Sequence, residues 1–128
     1  MRVLLIEDDP SLSMFYSRAL IRAGYTVSTE TRGDTGLDKA LTHTHDALVV
    51  DWYLPGLDGI SILKKLRASG FDRPILMLSG SGEDAKEVAL DAGANAFLAK
   101  PCGLEDLTNC VAMLTGRLLA RNLSASAA

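Results

Sequence analysis

Charged and hydroxyl side chains follow four short apolar segments of this sequence, each at the point where the segment ends. They are Glu7, Asp8 and Asp9 after 2–6, Asp51 after 47–50, Ser79 after 75–78, and Lys100 after 96–99. Burying a charged side chain without a partner is strongly unfavourable. These residues are therefore expected to face one another, a metal ion or a ligand.

The grouping of acidic residues favours a divalent cation. Carboxylates about 4 Å apart repel one another by about 1 to 4 kcal/mol per pair, depending on the effective dielectric constant. Mg²⁺ offsets that repulsion, prefers oxygen ligands and commonly joins carboxylates to a phosphate oxygen. Phosphoryl transfer depends mostly on positioning and charge neutralisation, and a carboxylate can itself be the nucleophile. Asp51 is therefore a candidate acceptor that would form an aspartyl phosphate.

These side chains can meet only if the apolar segments are strands of one sheet. Runs rich in branched apolar residues predict five strands, at 2–6, 25–30, 47–50, 75–78 and 96–99. Apolar residues at helical spacing predict five helices, at 11–24, 35–43, 59–70, 83–94 and 104–119. This alternation predicts an α/β fold, a doubly wound parallel sheet with right-handed crossovers. The carboxyl ends of such strands share one edge, where ligands bind.

Length and composition limit the class of protein. The chain has 128 residues, of which 48% are hydrophobic and 23% charged, as expected for one folded domain. Its net charge of −3 argues against non-specific nucleic-acid binding by this chain alone, though not against an attached DNA-binding partner. No apolar run approaches the roughly 20 residues of a membrane span, and the start, MRVLLIEDD, lacks the features of a secretory signal. A cytoplasmic location is expected.

Some polar residues have simpler interpretations. Asp9 precedes Pro10, a residue type favoured at the first position of a helix, and Asp58 stands directly before the predicted helix 59–70. Both positions are typical of N-caps. His43 and His45 lie between apolar segments without the cysteines or acidic cluster of a metal site. We expect the two histidines to belong to a solvated loop.

Four segments carry a resemblance to a known family. LLIEDD (4–9), VVDWYLPGLDG (49–59), LMLSG (76–80) and AKP (99–101) have the order and spacing found in receiver domains of bacterial two-component response regulators. Residues 1–120 resemble such a domain, and residues 121–128 would form a flexible tail or the start of a linker. The resemblance implies a flavodoxin-like (βα)5 fold, a doubly wound parallel sheet with strand order 2-1-3-4-5.

The resemblance also implies an acceptor and a metal site. Asp51 would accept a phosphoryl group from the phosphohistidine of a sensor histidine kinase or a phosphotransfer protein. Mg²⁺ would be held by Glu7, Asp8 and Asp51, together with the backbone carbonyl of Tyr53.

Other implied roles concern the response to phosphorylation. Lys100 would pair with a phosphoryl oxygen or with Asp51, and the Lys100–Pro101 peptide bond would be cis. Ser79 would hydrogen-bond the phosphoryl group, and Phe97 would then turn inward. The surface of the fourth helix, fifth strand and fifth helix would change shape and control an effector domain or a homodimer. No direct contact with nucleic acid or with a membrane is implied.

Three classes of function are consistent with these features. The leading hypothesis is a phosphorylation-controlled switch that catalyses only its own phosphorylation and dephosphorylation. The main alternative is a receiver-like binding scaffold that does not respond to phosphate, although such domains often lack one of the acidic, Ser79 or Lys100 positions. A phosphatase of the haloacid dehalogenase type would need a second aspartate where this sequence has Tyr53. Tyr53 also replaces the smaller polar residue of many family members, which bears on the lifetime of the phosphorylated state.

Overall fold

Five parallel strands form the sheet. The structure, a computed structural model, describes residues 1–81 and 83–116. The strands are β1 (Arg2–Ile6), β2 (Thr26–Glu30), β3 (Ala47–Asp51), β4 (Ile75–Ser79) and β5 (Ala96–Ala99). They pair in the order β2-β1-β3-β4-β5, and every pairing is parallel. The predicted flavodoxin-like α/β fold is confirmed.

Helices connect the strands and cover both faces of the sheet. They are α1 (Pro10–Arg22), α2 (Gly33–Ala40), α3 (Gly59–Ala68), α4 (Lys86–Ala92) and α5 (Leu104–Leu114), with a 3₁₀ turn at Glu83–Ala85. No helix in the described part of the chain is long and apolar enough to cross a membrane.

Alternating strand residues divide the core between the two faces of the sheet, because successive side chains of a strand point in opposite directions. On one face, Leu48 and Val50 pack with the apolar sides of α3 and α4. On the other face, Val49 packs with residues of α1 and α5, including Leu20 and Val111. Burial on both faces explains why the strands are continuously apolar rather than alternating.

Several element boundaries differ from the sequence prediction. Helix α2 spans Gly33–Ala40 rather than 35–43, and the predicted helix 83–94 is a 3₁₀ turn followed by the seven-residue α4. Gly93 ends α4 with a φ of 119°, in the left-handed region. Helix α5 ends at Leu114. The predicted continuation to 119 and the predicted tail at 121–128 extend into residues 117–128, outside the described residues.

The expectation of a solvated histidine loop is wrong for His45. His43 is exposed, but His45 is only 3% exposed, and its Nε2 has no hydrogen-bond partner in the described structure. The neighbouring Asp46 explains the difference. Its Oδ2 accepts from the backbone N–H of Arg2 at 2.7 Å, and its own N–H donates to the Arg2 carbonyl at 2.7 Å. These two hydrogen bonds hold the segment that contains His45 and Asp46 against the start of β1.

Candidate functional site

Three carboxylates meet at the carboxyl edge of the sheet. Strands β1 and β3 are neighbours with Ile6 in register with Val50, which places Glu7 beside Asp51. Carboxylate oxygens of Glu7, Asp8 and Asp51 all lie within 4.8 Å of one another. Glu7 is fully buried and Asp51 is 5% exposed, whereas Asp8 is exposed. The cluster is therefore closed on the protein side and open to solvent at Asp8.

Lys100 supplies the positive charge at this edge. It follows β5, and its backbone N–H donates to the Ser79 carbonyl at 2.7 Å. Its Nζ lies 2.9 Å from Glu7 Oε1 and 3.4 Å from Asp51 Oδ1. Burial lowers the pKa of Lys100, but the hydrogen bond to Glu7 and the charge of Asp51 act in the opposite direction and leave that pKa raised. Lys100 is thus held as a cation between two buried carboxylates.

One ammonium group does not fully compensate the acidic residues. Burial is the largest influence on Glu7 and on Asp51 and raises the pKa of each carboxyl; the contacts with Lys100 lower it, but the net direction is upward for both. A raised pKa means that the ionised form is less favourable here than in water. A bound cation would relieve this cost. The candidate metal ligands in this cluster are all carboxylate oxygens, and the exposed position of Asp8 leaves room for water ligands. Both features fit a hard ion such as Mg²⁺.

The loop after Asp51 is fixed at both ends by backbone hydrogen bonds. The Trp52 N–H donates to the Leu78 carbonyl at 2.9 Å, and the Gly59 N–H donates to the Trp52 carbonyl at 2.7 Å. A Cβ at Gly59 would overlap the Asp51 carbonyl oxygen, so the start of α3 approaches the acceptor strand as only glycine allows. Tyr53, whose carbonyl is the predicted metal ligand, lies just inside this closed loop.

The side chain of Tyr53 reaches across to the next loop. Its ring is 63% exposed, and its hydroxyl lies 3.0 Å from Ser81 Oγ. The Ser81 N–H in turn donates to Ser79 Oγ at 3.0 Å. The loops after β3 and β4 are therefore joined beside the acceptor. The sequence did not predict this contact, because nothing in the spacing of two separate loops indicates it.

The two predicted switch residues are both buried. Ser79 is the last residue of β4 and is fully buried, one position beyond Leu78, the register partner of Asp51. Phe97 is 8% exposed and packs in the core cluster that includes alanines of α4. The Phe97 ring therefore already lies inward, toward α4, which is the orientation that the resemblance assigns to the phosphorylated state.

Asp9, the third acidic residue after β1, is a helix N-cap, as the sequence predicted, and the carboxylate cluster consists of Glu7, Asp8 and Asp51. The Asp9 carboxylate accepts from the N–H groups of Ser11 at 2.8 Å and Leu12 at 3.1 Å, as an N-cap of α1. Asp58 likewise caps α3 by accepting from the Ser61 N–H at 2.8 Å. The Lys100–Pro101 peptide bond is cis, as predicted. The close pairing of Lys100 with Glu7 was not predicted, since it depends on the conformations of two long side chains.

Residues 3–112 match the model of the family described as the response regulator receiver domain. The chain therefore belongs to this family, the receiver domains of two-component systems.

Named relatives agree with this assignment. Response regulator ArlR of Staphylococcus aureus is 36% identical over 107 residues, which make up 83% of this chain but 48% of ArlR. The chain thus spans about half the length of that relative.

Two solved structures are similar over nearly their whole length. The receiver domain of Francisella response regulator 1452 is 31% identical with a TM-score of 0.86, over 91% of this chain and 97% of that one. The receiver domain of sensor histidine kinase PA1611 from Pseudomonas aeruginosa PAO1 is 31% identical with a TM-score of 0.82, over 90% and 97% of the two chains. That structure has a magnesium ion coordinated in its active-site cleft.

Proposed function

We propose that this chain is a phosphorylation-dependent signalling switch, with Asp51 as the phosphoryl acceptor. The observation that carries the proposal is the arrangement of Glu7, Asp8, Asp51 and Lys100 at one edge of the sheet, with carboxylate oxygens within 4.8 Å of one another and Nζ within 3.4 Å of Asp51. Such a site has a nucleophile, a set of oxygen ligands for a cation, and a fixed positive charge.

The residues have distinct tasks in the proposed transfer. A carboxylate oxygen of Asp51 forms a bond to phosphorus while the nitrogen–phosphorus bond of a partner's phosphohistidine breaks, and the electron pair stays on the departing imidazole nitrogen. Lys100 moves its contact from the Asp51 carboxylate to a phosphoryl oxygen, which keeps the added charge paired. Ser79 donates its hydroxyl hydrogen to another phosphoryl oxygen.

Glu7, Asp8, Asp51 and the Tyr53 carbonyl would hold Mg²⁺. The ion supplies charge neutralisation for the phosphoryl oxygens as they approach the carboxylates. The buried Glu7 and Asp51 form the fixed side of this site, and the exposed Asp8 forms the side that faces solvent.

The proposed partners follow from the donor that such a site needs. A sensor histidine kinase or a phosphotransfer protein would supply the phosphohistidine, in the cytoplasm. The output would be an effector domain or a homodimer that contacts the surface of α4, β5 and α5. No direct binding of nucleic acid is proposed for this chain, whose net charge is −3.

Incubation with acetyl phosphate and Mg²⁺ separates this proposal from its alternatives, because the small donor removes the need for a kinase. A switch accumulates a covalent adduct that intact-mass spectrometry detects. A scaffold that does not respond to phosphate shows no adduct. Release of inorganic phosphate over many turnovers per chain, with no accumulated adduct, would instead indicate a phosphatase. The proposal expects the first result, and either of the others contradicts it.

A further inference from the structure

We propose that Gly33, at the start of α2, is a positioning residue for the loop that follows Asp51. This inference rests on the proposed function, since the loop matters through the Tyr53 carbonyl assigned to Mg²⁺. Gly33 is not in the acidic cluster, and it comes from the β2–α2 connection on the far side of β1 from the acceptor strand.

Gly33 contacts the backbone of the loop directly. Its N–H donates to the Pro55 carbonyl at 2.9 Å. A Cβ at this position would overlap the Leu57 carbonyl oxygen and would also crowd the Leu57 Cα, at 3.1 Å. Because both neighbours are backbone atoms, no side-chain rotation can make room. The absence of a side chain at Gly33 therefore sets how closely the loop approaches α2.

A second contact fixes the same part of the loop. Gly56 has a φ of 85°, in the left-handed region, and an added Cβ there would meet the side chains of the Arg32–Asp34 ion pair. Arg32 Nε and Asp34 Oδ1 are 3.0 Å apart. A Cβ at Gly56 would come within 2.6 Å of Asp34 Oδ1 and 2.7 Å of Arg32 Nη2. Arg32 and Asp34, the neighbours of Gly33 in the chain, thus cover the same loop segment that the Gly33 N–H contacts.

The Tyr53 carbonyl lies between two anchored carbonyls. The Trp52 carbonyl is held by the Gly59 N–H at 2.7 Å, and the Pro55 carbonyl is held by Gly33. The first anchor comes from the start of α3, whereas the second comes from α2. The α2 anchor thus holds the outer part of the loop, at Pro55, to a separate part of the domain. A shift at Pro55 and Leu57 changes the position of the Tyr53 carbonyl relative to the carboxylates.

The test is Mg²⁺ binding by calorimetry to wild type and to Gly33→Ala. We expect the substitution to weaken Mg²⁺ binding about tenfold, the lower end of the effect of disturbing groups that orient metal ligands. Asp8→Asn is the positive control, because it removes a proposed ligand. Gly70→Ala is the matched negative control: Gly70 has a φ of 91° and no atom within 4 Å of an added Cβ, so its replacement strains the backbone far from the loop. Its Mg²⁺ affinity should equal that of wild type.

The outcomes separate the inference from the proposed function. If wild type does not bind Mg²⁺, the proposed metal site fails and the inference fails with it. If wild type binds Mg²⁺ and Asp8→Asn binds it weakly, but folded Gly33→Ala binds it as wild type does, only the inference is overturned. Equal weakening in Gly70→Ala would also overturn it, because loss of stability alone would then explain the result.

A second measurement does not depend on the variant folding. In wild type, a Mg²⁺ titration followed by amide chemical shifts should move the Gly33 resonance, since its N–H donates to the loop that carries the ligand. The Gly70 amide should not move. An unchanged Gly33 amide at saturating Mg²⁺ would contradict the positioning role.

Discussion

Lys100 connects two carboxylates that would otherwise repel each other. Its Nζ is 2.9 Å from Glu7 and 3.4 Å from Asp51, so the closer contact is with the residue that is not the acceptor. In the proposed transfer, Glu7 would keep Lys100 in place when a phosphoryl group changes the charge of Asp51. The side chain of Lys100 would then need only a small movement to reach a phosphoryl oxygen.

Tyr53 bears on how long the phosphorylated state lasts. Water that hydrolyses an aspartyl phosphate must attack opposite the Asp51 oxygen, and the large ring of Tyr53 crowds this approach in our proposal. We predict that Tyr53→Asn loses phosphate about tenfold faster, equivalent to ~1.4 kcal/mol in the barrier. Release of inorganic phosphate from purified phosphoprotein measures the rate.

A second variant separates the ring of Tyr53 from its hydroxyl. Tyr53→Phe keeps the ring and loses the 3.0 Å contact with Ser81 Oγ. A rate close to wild type in Tyr53→Phe, with a faster rate in Tyr53→Asn, assigns the shielding to the ring. An unchanged or slower rate in Tyr53→Asn contradicts shielding. If that variant loses only transfer from a kinase, Tyr53 is a partner-contact residue instead.

His45 makes the stability of the fold depend on pH. Burial lowers the pKa of its imidazole, as do the charges of Arg2 and Lys39, while Asp46 acts weakly in the opposite direction. The folded state therefore binds a proton on His45 less readily than the unfolded state. The stabilising effect of neutral His45 is complete above its ordinary pKa of 6.5 and is lost as pH falls through the lower folded value.

Denaturant unfolding at several pH values tests this effect. Below pH 6.5 the free energy of unfolding should fall more steeply in wild type than in His45→Gln, by at most about 1.4 kcal/mol per pH unit. His43→Gln is the matched control, because His43 is exposed, and it should follow wild type. Parallel profiles for wild type and His45→Gln would rule out a contribution from His45.

At the scale of elements, α4 is the shortest α-helix in the described part of the chain. It has only seven residues, and its buried residues are Ala89 and Ala92, which remove little apolar surface from water. A helix this short has no stability of its own in water. The C-terminal end of α4 is held by Arg67 of α3. Arg67 Nε donates to the Gly93 carbonyl at 3.0 Å, and its Nη2 donates to Asn95 Oδ1 at 2.8 Å. Movement is therefore expected at the start of α4 rather than at its end.

We expect the proposed switch to act through the start of α4. Ser79 Oγ accepts from the Ser81 N–H, so turning Ser79 toward a phosphoryl group changes the contact that holds the β4–α4 loop. We predict that beryllofluoride, a phosphoryl mimic, changes amide chemical shifts mainly between residues 79 and 110, including Phe97. Such changes report a shift between two populated states.

Ser79→Ala is the control for this prediction. With beryllofluoride it should keep the changes at residues 51–58, next to the acceptor, and lose most of those in α4 and β5. Changes confined to 51–58 in wild type would contradict a switch that reaches α4.

The strands were predictable from sequence and the start of α4 was not. Strand β3, for example, has four apolar residues before Asp51, the pattern of burial on two faces. Helical spacing continues through 83–94, yet the chain forms a 3₁₀ turn before α4. Ala85 precedes α4 and provides no side-chain cap, so no capping residue in the sequence marks where the 3₁₀ turn ends and α4 begins.

At the scale of the whole molecule, topology explains most of what sequence could predict of the site. Parallel strands end at one edge, so Glu7, Asp51 and Lys100 had to lie at the same edge of the sheet once the strands were identified. The contacts of Gly33 with the loop after Asp51 could not be predicted, because they depend on the paths of two separate segments, the β2–α2 connection and the β3–α3 loop. The same is true of the burial of His45, which tertiary contacts with the start of β1 determine.

The proposed output lies outside this domain. The chain spans 48% of the length of ArlR, and the surface of α4, β5 and α5 is where the account places the change that an effector or a second copy detects. Every step of the proposed signal would depend on one event, the formation of a bond between phosphorus and Asp51.

Intact-mass spectrometry after incubation with acetyl phosphate and Mg²⁺ tests that event most directly, with wild type, Asp51→Asn and Asp58→Asn compared side by side. Asp58→Asn is the matched control, since asparagine also serves as an N-cap and Asp58 is exposed. The account predicts a phosphoryl adduct on wild type and on Asp58→Asn, and none on Asp51→Asn that circular dichroism shows to be folded. A full adduct on folded Asp51→Asn would contradict the assignment of Asp51 as the acceptor.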